Sequence, residues 1–199
     1  MLTAEAIVTL HDDRARSWHR QPADTGVATE DWLGAVERQH LANFDLWHIE
    51  DEARRPGATD AQLADVKRRV DRINQRRNDL AEELDRYLLN WLEPQHLPDL
   101  RAPLHSESPG LMIDRLSILA LKIYHTWEET ERAGVSAGHI LRNKERLAIL
   151  EIQRADLAGC LDDLWQETLL GTRCFKLYRQ LKMYNDPALN PAIYKSERL

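Results

Sequence analysis

The 199-residue sequence contains little cysteine and little phenylalanine, with two residues of each. With only Cys160 and Cys174 present, nothing in the sequence demands an oxidising compartment. If one helix carries both cysteines, they lie roughly 20 Å apart along it, which is beyond disulfide reach. Because phenylalanine is scarce, leucine and the six tryptophans must fill the interior, and that composition suits helices better than sheets.

The sequence also lacks a basic run and a long apolar run. Its 27 Lys and Arg stand against 33 Asp and Glu, a net charge of −6, so non-specific binding of nucleic acid is not expected. No uncharged stretch approaches the length that spans a bilayer, and the first residues lack a basic region followed by an apolar run. We therefore expect a cytoplasmic protein that is not inserted in a membrane.

What the sequence does contain is helical periodicity, with start signals at Thr29, Thr59, Ser108-Pro109 and Ser136. We predict an all-α bundle of about five long helices with a C-terminal tail. In this prediction residues 1–199 form a single helical domain: an N-terminal helix at 1–20, a bundle core at 29–183 and a tail at 184–199. The fourth helix is apolar on nearly every side and should lie near the centre, and the proline-rich connection 93–108 could cover one end as a lid.

Two of the predicted helices, joined by a short turn at residues 55–59, carry polar residues where a bundle usually carries leucine. Counting in threes and fours groups His40, Asn43, Trp47 and Glu50 (with neighbouring Asp51) on one helix, and Asp71, Asn74 and Asn78 on the next. Because a short turn makes the two helices antiparallel neighbours, His40 and Asn43 should lie across from Asp71 and Asn74. Further polar residues interrupt the two apolar helices that follow, namely Asp114, Arg115, Lys122, His125 and Arg154.

Grouped titratable residues in the interior favour a pocket for a small anionic metabolite. In this hypothesis His40 is the general acid or base, and Asp71 orients it or binds a metal. Arg115, Lys122 and Arg154 supply positive charge for a phosphate or carboxylate. The full set of predicted substrate-binding residues is Asn43, Trp47, Glu50, Asp51, Asn74, Asn78, Asp114, Arg115, Lys122, His125 and Arg154.

Support for a metal centre is weaker. Glu37 and His40 have the Glu-x-x-His spacing of di-iron bundles, but such sites need a second motif that the sequence does not contain. The acidic groups at 82–85 and 128–131 are similar to the paired motifs with which all-α nucleotide pyrophosphohydrolases hold Mg²⁺, although such spacing is common on solvated helix faces. We therefore assign no metal ligand, and the cofactor stays unspecified.

Four stretches resemble a known family. They begin with His40-Leu-Ala-Asn43, Asp71-Arg-Ile-Asn74, Pro109-Gly-Leu-Met and Lys182-Met-Tyr-Asn. Together with the rest of residues 31–194, they resemble an uncharacterised family of bacterial helical proteins, domain of unknown function 4254, often encoded near glycosyltransferases of surface-polysaccharide clusters. The resemblance implies no established activity and no catalytic residues. It does imply a glycan pathway, and hence a phospho- or nucleotide-sugar as the anionic ligand.

The alternative is a non-catalytic interaction or scaffold protein, which forms a homodimer or docks on a glycosyltransferase and has a purely structural polar interior. This alternative predicts an exposed apolar patch formed by the last long helix and residues 184–194. The two hypotheses differ in whether the polar stripes enclose a cavity open to solvent or a closed network.

Overall fold

The computed structural model describes residues 2–21, 29–181 and 188–191. Within those ranges the chain forms five helices and no strand, so the predicted all-α bundle is confirmed. The predicted tail lies outside the described residues apart from 188–191. The helices are α1 (Ala4–Arg20), α2 (Trp32–Ala53), α3 (Asp60–Leu92), α4 (Pro109–Glu131) and α5 (Ala137–Leu169), with a 3₁₀ turn at Glu93–Gln95.

Capping side chains set where most helices begin. Thr59 and Ser136 each accept a hydrogen bond from a backbone N–H in the first turn, as the sequence predicted. The predicted cap of α2 at Thr29 is wrong, because Asp31 accepts from the Gly34 N–H at 2.8 Å. Thr29 packs its carbonyl oxygen onto the helix instead, only 1.7 Å from where a Cβ on residue 34 would lie. Gly34 is therefore required, because a side chain at position 34 would collide with the backbone of the segment that leads into α2.

Helix α4 contacts the other four helices, which confirms its predicted central place. Its inward residues Ile113 and Leu116 are fully buried with Leu84 of α3 and Leu161 of α5. Helices α2 and α3 pack against each other, as their short connection predicted. Among the described residues, no helix combines the length and the apolar character needed to cross a membrane.

Helices α3 and α4 approach each other closely at Gly110, in the first turn of α4. A Cβ at this position would lie 2.3 Å from the carbonyl oxygen of Ala81. The Gly110 N–H donates to the carboxylate of Asp85 at 2.7 Å, and the Ser108 hydroxyl donates to its other oxygen. Asp85 therefore caps α4 from a neighbouring helix, and burial raises its pKa to about 6.

The connection between α3 and α4 is tied to the segment that follows α5. The His105 N–H donates to the Cys174 carbonyl at 2.7 Å, and the Cys174 N–H donates to the Pro103 carbonyl at 3.1 Å. The segment predicted as a lid is thus held by backbone hydrogen bonds to the chain that follows α5. Cys174 is buried beyond the end of α5 whereas Cys160 is exposed on it, so the two free thiols do not share a helix.

Candidate functional site

His40 lies inside a buried hydrogen-bonded network. Its Nδ1 accepts from the Ser117 hydroxyl at 2.7 Å, and its Nε2–H donates to the His11 carbonyl at 3.1 Å. Because a carbonyl can only accept, this geometry selects the neutral Nε2–H tautomer. Burial lowers the pKa of His40 to about 3. Neither ring nitrogen is left for a ligand, so the geometry does not favour His40 as an acid or base.

Asp114 is the anionic centre of the same network. Its carboxylate accepts from Gln39 Nε2 at 2.6 Å and from Asn43 Nδ2 at 3.0 Å. Arg77 of α3 donates to both carboxylate oxygens, which raises the pKa of its guanidinium. Asn43 also donates to Ser117 Oγ at 2.9 Å, which joins the two halves of the network. These bonds lock α2, α3 and α4 together.

Asp71 lies away from this network. Its side chain is 40% exposed and pairs with Lys67 one turn earlier on α3. Ser117 and the His11 carbonyl orient His40, in the role predicted for Asp71. Asn74 and Asn78 are half-buried on the same helix.

Two ion pairs show the reason for this difference, because they mark the register of α2 against α3. Glu52 bonds to Arg69 at 2.6 Å near the turn, and Arg38 bonds to Glu83 at 3.0 Å near the other end of α2. In this register position 74 falls about two helical turns, and position 71 about three helical turns, from the level of His40. The predicted facing of His40 and Asn43 with 71 and 74 is therefore wrong.

A cleft of about 400 Å³ opens beside the network, between α2, α3 and α4. Its walls bring together four of the predicted binding residues: Asn43, Trp47, Glu50 and Asp51. The other lining residues are Leu46, Arg54, Arg77, Ile118 and Leu121. The polar stripe of α2 thus has a closed inner part around His40 and an open outer part around Trp47.

His125 contacts Trp47 of α2 and does not group with the basic residues of its own helix. Its imidazole stacks on the Trp47 indole with ring centroids 4.7 Å apart. His19 of α1 and His48 of α2, which the sequence analysis did not assign to a site, lie beside it. In the described part of the chain, these three histidines are the one group of His, Cys, Asp and Glu placed to share a metal ion.

The three predicted cations do not converge. Arg115 pairs with Glu107 at 2.7 Å and lines, with Lys122, an open groove of about 820 Å³ between α4 and α5. Arg154 pairs with Asp12 at 2.7 Å in a separate cleft of about 330 Å³ next to α1. Arg154 is thus a partly buried cation with an acidic partner, and none of the three cations lines the Trp47 cleft.

The family model described as "Protein of unknown function (DUF4254)" matches residues 33–177, which is well over half of the chain. This chain belongs to the DUF4254 family. The matched region of this DUF4254 protein holds the Asp114 network and the Trp47 cleft, whereas His11 and His19 precede it. No curated protein and no solved structure matches the chain significantly.

Proposed function

We propose that this DUF4254 protein binds a small sugar-containing metabolite, a phospho- or nucleotide-sugar, in the cleft lined by Trp47. The supporting observation is that one cleft joins a half-buried indole to amide, carboxylate and guanidinium groups. Small-ligand pockets use this mixture of aromatic surface and a few placed polar groups. A sugar fits it, because its C–H face packs on an aromatic ring while its hydroxyls take hydrogen bonds around the edge.

The polar groups of the cleft are mostly acceptors. Asn43 uses its Nδ2 for Asp114 and Ser117, which leaves Oδ1 to accept from a ligand hydroxyl. Glu50 and Asp51 add two carboxylates at the rim. Hydroxyl groups are the donors that match such a set.

The cleft also holds two cations that suit a phosphate. Arg77 is fixed by Asp114 through Nε and Nη2, which leaves Nη1 as a donor for a ligand. Arg54 pairs with Glu50 at 3.1 Å, but its side chain is 67% exposed. Because exposed ion pairs contribute only about 0–1 kcal/mol, Arg54 can exchange this partner for a ligand phosphate at little cost. The Arg115, Lys122 and Arg154 side chains are not needed for this binding mode.

Turnover of the ligand would require a base other than His40. Glu50 and Asp51 are the carboxylates that the cleft offers for that role. A phospho- or nucleotide-sugar also agrees with the surface-glycan context that the sequence resemblance implies.

The test is a melting-temperature screen of the full chain against sugar phosphates, nucleotide-sugars, free sugars and nucleotides. A ligand at a hundred times its dissociation constant adds about 2.7 kcal/mol to the free energy of unfolding. For the best compound, calorimetric titration of Trp47→Ala should show binding weakened at least about tenfold, the loss expected when one buried aromatic anchor is removed. Trp127→Ala, which removes an exposed tryptophan of α4 outside the cleft, should bind like the parent. Parent-like affinity in Trp47→Ala would refute the assignment.

A second candidate function is protein interaction through α5. Three aliphatic residues on one face of this helix are mostly exposed: Leu141 (60%), Ile149 (57%) and Ile152 (62%). The interaction hypothesis predicted an exposed apolar patch that includes this helix. If α5 mediates a homodimer, light scattering should report a dimer for the parent and a monomer for Ile149→Lys. A monomeric parent would remove the homodimer from consideration.

A further inference from the structure

Three helices each contribute one histidine to a common point at the end of the bundle. His19 comes from the last turn of α1, His48 from α2 and His125 from α4. A ring nitrogen of each lies within 4.8 Å of a ring nitrogen of the others. All three side chains are half-buried.

Hydrogen bonds orient the three rings in the same way. The Nδ1–H of His19 donates to the Ala15 carbonyl at 2.6 Å, and that of His48 donates to the Phe44 carbonyl at 2.8 Å. The Nδ1–H of His125 donates to the Glu128 carboxylate at 2.9 Å. Because all three acceptors are oxygens that cannot donate, each neutral ring keeps its lone pair on Nε2. Histidine ligands of metal ions are held by such bonds from the other ring nitrogen.

Two of the free nitrogens lack any other partner. The Nε2 atoms of His19 and His125 are buried and have no hydrogen-bond partner within the described structure. A buried polar atom without a partner costs free energy, which binding to a metal ion would recover. Burial lowers the pKa of both side chains, so the rings are neutral and able to coordinate at neutral pH.

We propose that His19, His48 and His125 form a binding site for a divalent transition-metal ion, with Zn²⁺ the best fit. Imidazole nitrogen is a preferred ligand of Zn²⁺, Cu²⁺ and Ni²⁺, whereas Mg²⁺ and Ca²⁺ require oxygen ligands. Three histidines fill three positions of a tetrahedral ion and leave the fourth for water or a substrate atom, the arrangement of catalytic rather than structural zinc sites. This site stands independently of the ligand proposed for the Trp47 cleft.

Neighbouring aromatic rings pack against the three histidines, and the histidine nitrogens are close enough to move together around a metal ion. Tyr124 stacks on His19 with centroids 4.0 Å apart, and Phe44 lies 4.3 Å from His48. Zinc–nitrogen bonds of about 2.0–2.1 Å place tetrahedral ligands about 3.4 Å apart. Metal binding would therefore draw the ring nitrogens together by up to about 1.4 Å, a movement that small side-chain rotations can supply.

The first test is equilibrium titration of the tag-free full chain, stripped with chelator, with Zn²⁺. We expect one ion per chain in the parent and in His139→Gln, which alters a half-buried histidine on α5 outside the cluster. His19→Gln, His48→Gln and His125→Gln should each weaken binding at least about tenfold. Absence of Zn²⁺ binding by the parent, or equal binding by parent and all three cluster variants, would overturn the proposal.

A second measurement needs no variant and therefore does not depend on the variants folding. X-ray absorption at the zinc edge of the loaded parent counts the imidazole ligands directly. The proposal requires three imidazoles with Zn–N distances of about 2.0–2.1 Å and no sulfur. Fewer than three imidazoles, or a zinc–sulfur bond to Cys160 or Cys174, would refute the His19–His48–His125 assignment.

Discussion

The indole of Trp47 and the imidazole of His125 lie nearly parallel, with centroids 4.7 Å apart and planes inclined by 9°. Trp47 lines the proposed ligand cleft, and His125 belongs to the proposed metal cluster. One stacked pair, formed between α2 and α4, therefore joins two sites that are otherwise built from different residues. Replacing either ring should therefore affect both the ligand cleft and the metal cluster.

The stacking itself can be measured. In a double-mutant cycle with Trp47→Leu and His125→Leu, the coupling between the two positions should be about 0.5–1.5 kcal/mol, the range for aromatic pairs beyond the area that they bury. Urea unfolding of the parent, both single variants and the double variant gives this value. Additive single effects would show that the two rings do not stabilise each other.

Asp114 should be far more important for stability than Asp71. Asp114→Ala leaves Arg77 partly buried without its partner and should lower the free energy of unfolding by about 3–5 kcal/mol. Asp71→Ala removes only an exposed pair with Lys67 and should cost less than about 1 kcal/mol, with cleft binding unchanged. Chemical unfolding followed by circular dichroism measures both. Similar losses in the two variants would contradict the network described here.

Two helical glycines should respond in opposite directions to the same substitution. Gly110→Ala places a Cβ 2.3 Å from the Ala81 carbonyl and should destabilise the protein by about 1–3 kcal/mol or more. Gly159→Ala meets nothing within 4 Å in the middle of α5 and should stabilise it by about 0.5–1 kcal/mol. Melting temperatures of the two variants check the close approach of α3 and α4. A stabilised Gly110→Ala would mean that the helices are further apart.

Stability should fall in mild acid because of the buried histidines. The pKa of His40 is about 3 in the folded protein, below the ordinary value of 6.5, and burial lowers that of His11 as well. Between those pH values the unfolded chain binds protons at these two positions that the folded chain does not, so the contribution of the two histidines to stability is complete above about pH 6.5 and declines as pH falls towards 3. Asp85, whose pKa is raised to about 6, opposes part of this loss. For His40 alone the loss approaches about 4–5 kcal/mol at about 1.4 kcal/mol per pH unit.

The measurement is the free energy of unfolding as a function of pH for the parent and for His40→Gln. Glutamine can accept from Ser117 and donate to the His11 carbonyl without titrating, so the variant should lose less stability in acid than the parent does. His139→Gln, which leaves the buried pair intact, is the matched control and should follow the parent. Parallel curves for the parent and His40→Gln would contradict the assigned pKa.

The fold could be predicted because its signals are local. Periodicity and caps such as Thr59 and Ser136 depend on residues within one or two turns, and most helix ends came within about two residues of their predicted positions. The open part of the α2 stripe was predictable for the same reason, since Asn43, Trp47 and Glu50 share a face through helical spacing alone. The central place of α4 followed from its composition.

The remainder of the site depends on long-range packing. The register of α2 against α3, which contacts such as that of Arg38 with Glu83 mark, is not specified by helical periodicity. Arg77 was missed because it lies one position away from the stripe through Asn74 and Asn78. His19 and His48 meet only after α1 packs against α2 and α4, and the eight histidines of the chain were the sole hint of such a cluster.

The most direct test of the proposed function follows the six tryptophan indole N–H signals by nitrogen-15 NMR during titration with the best sugar phosphate or nucleotide-sugar. Trp47→Phe identifies the signal of the cleft. We predict that this signal moves furthest and saturates together with calorimetric binding, while that of Trp127 stays in place. A ligand that saturates the protein without moving the Trp47 signal, or a panel that leaves all six signals unmoved, would contradict binding in the cleft.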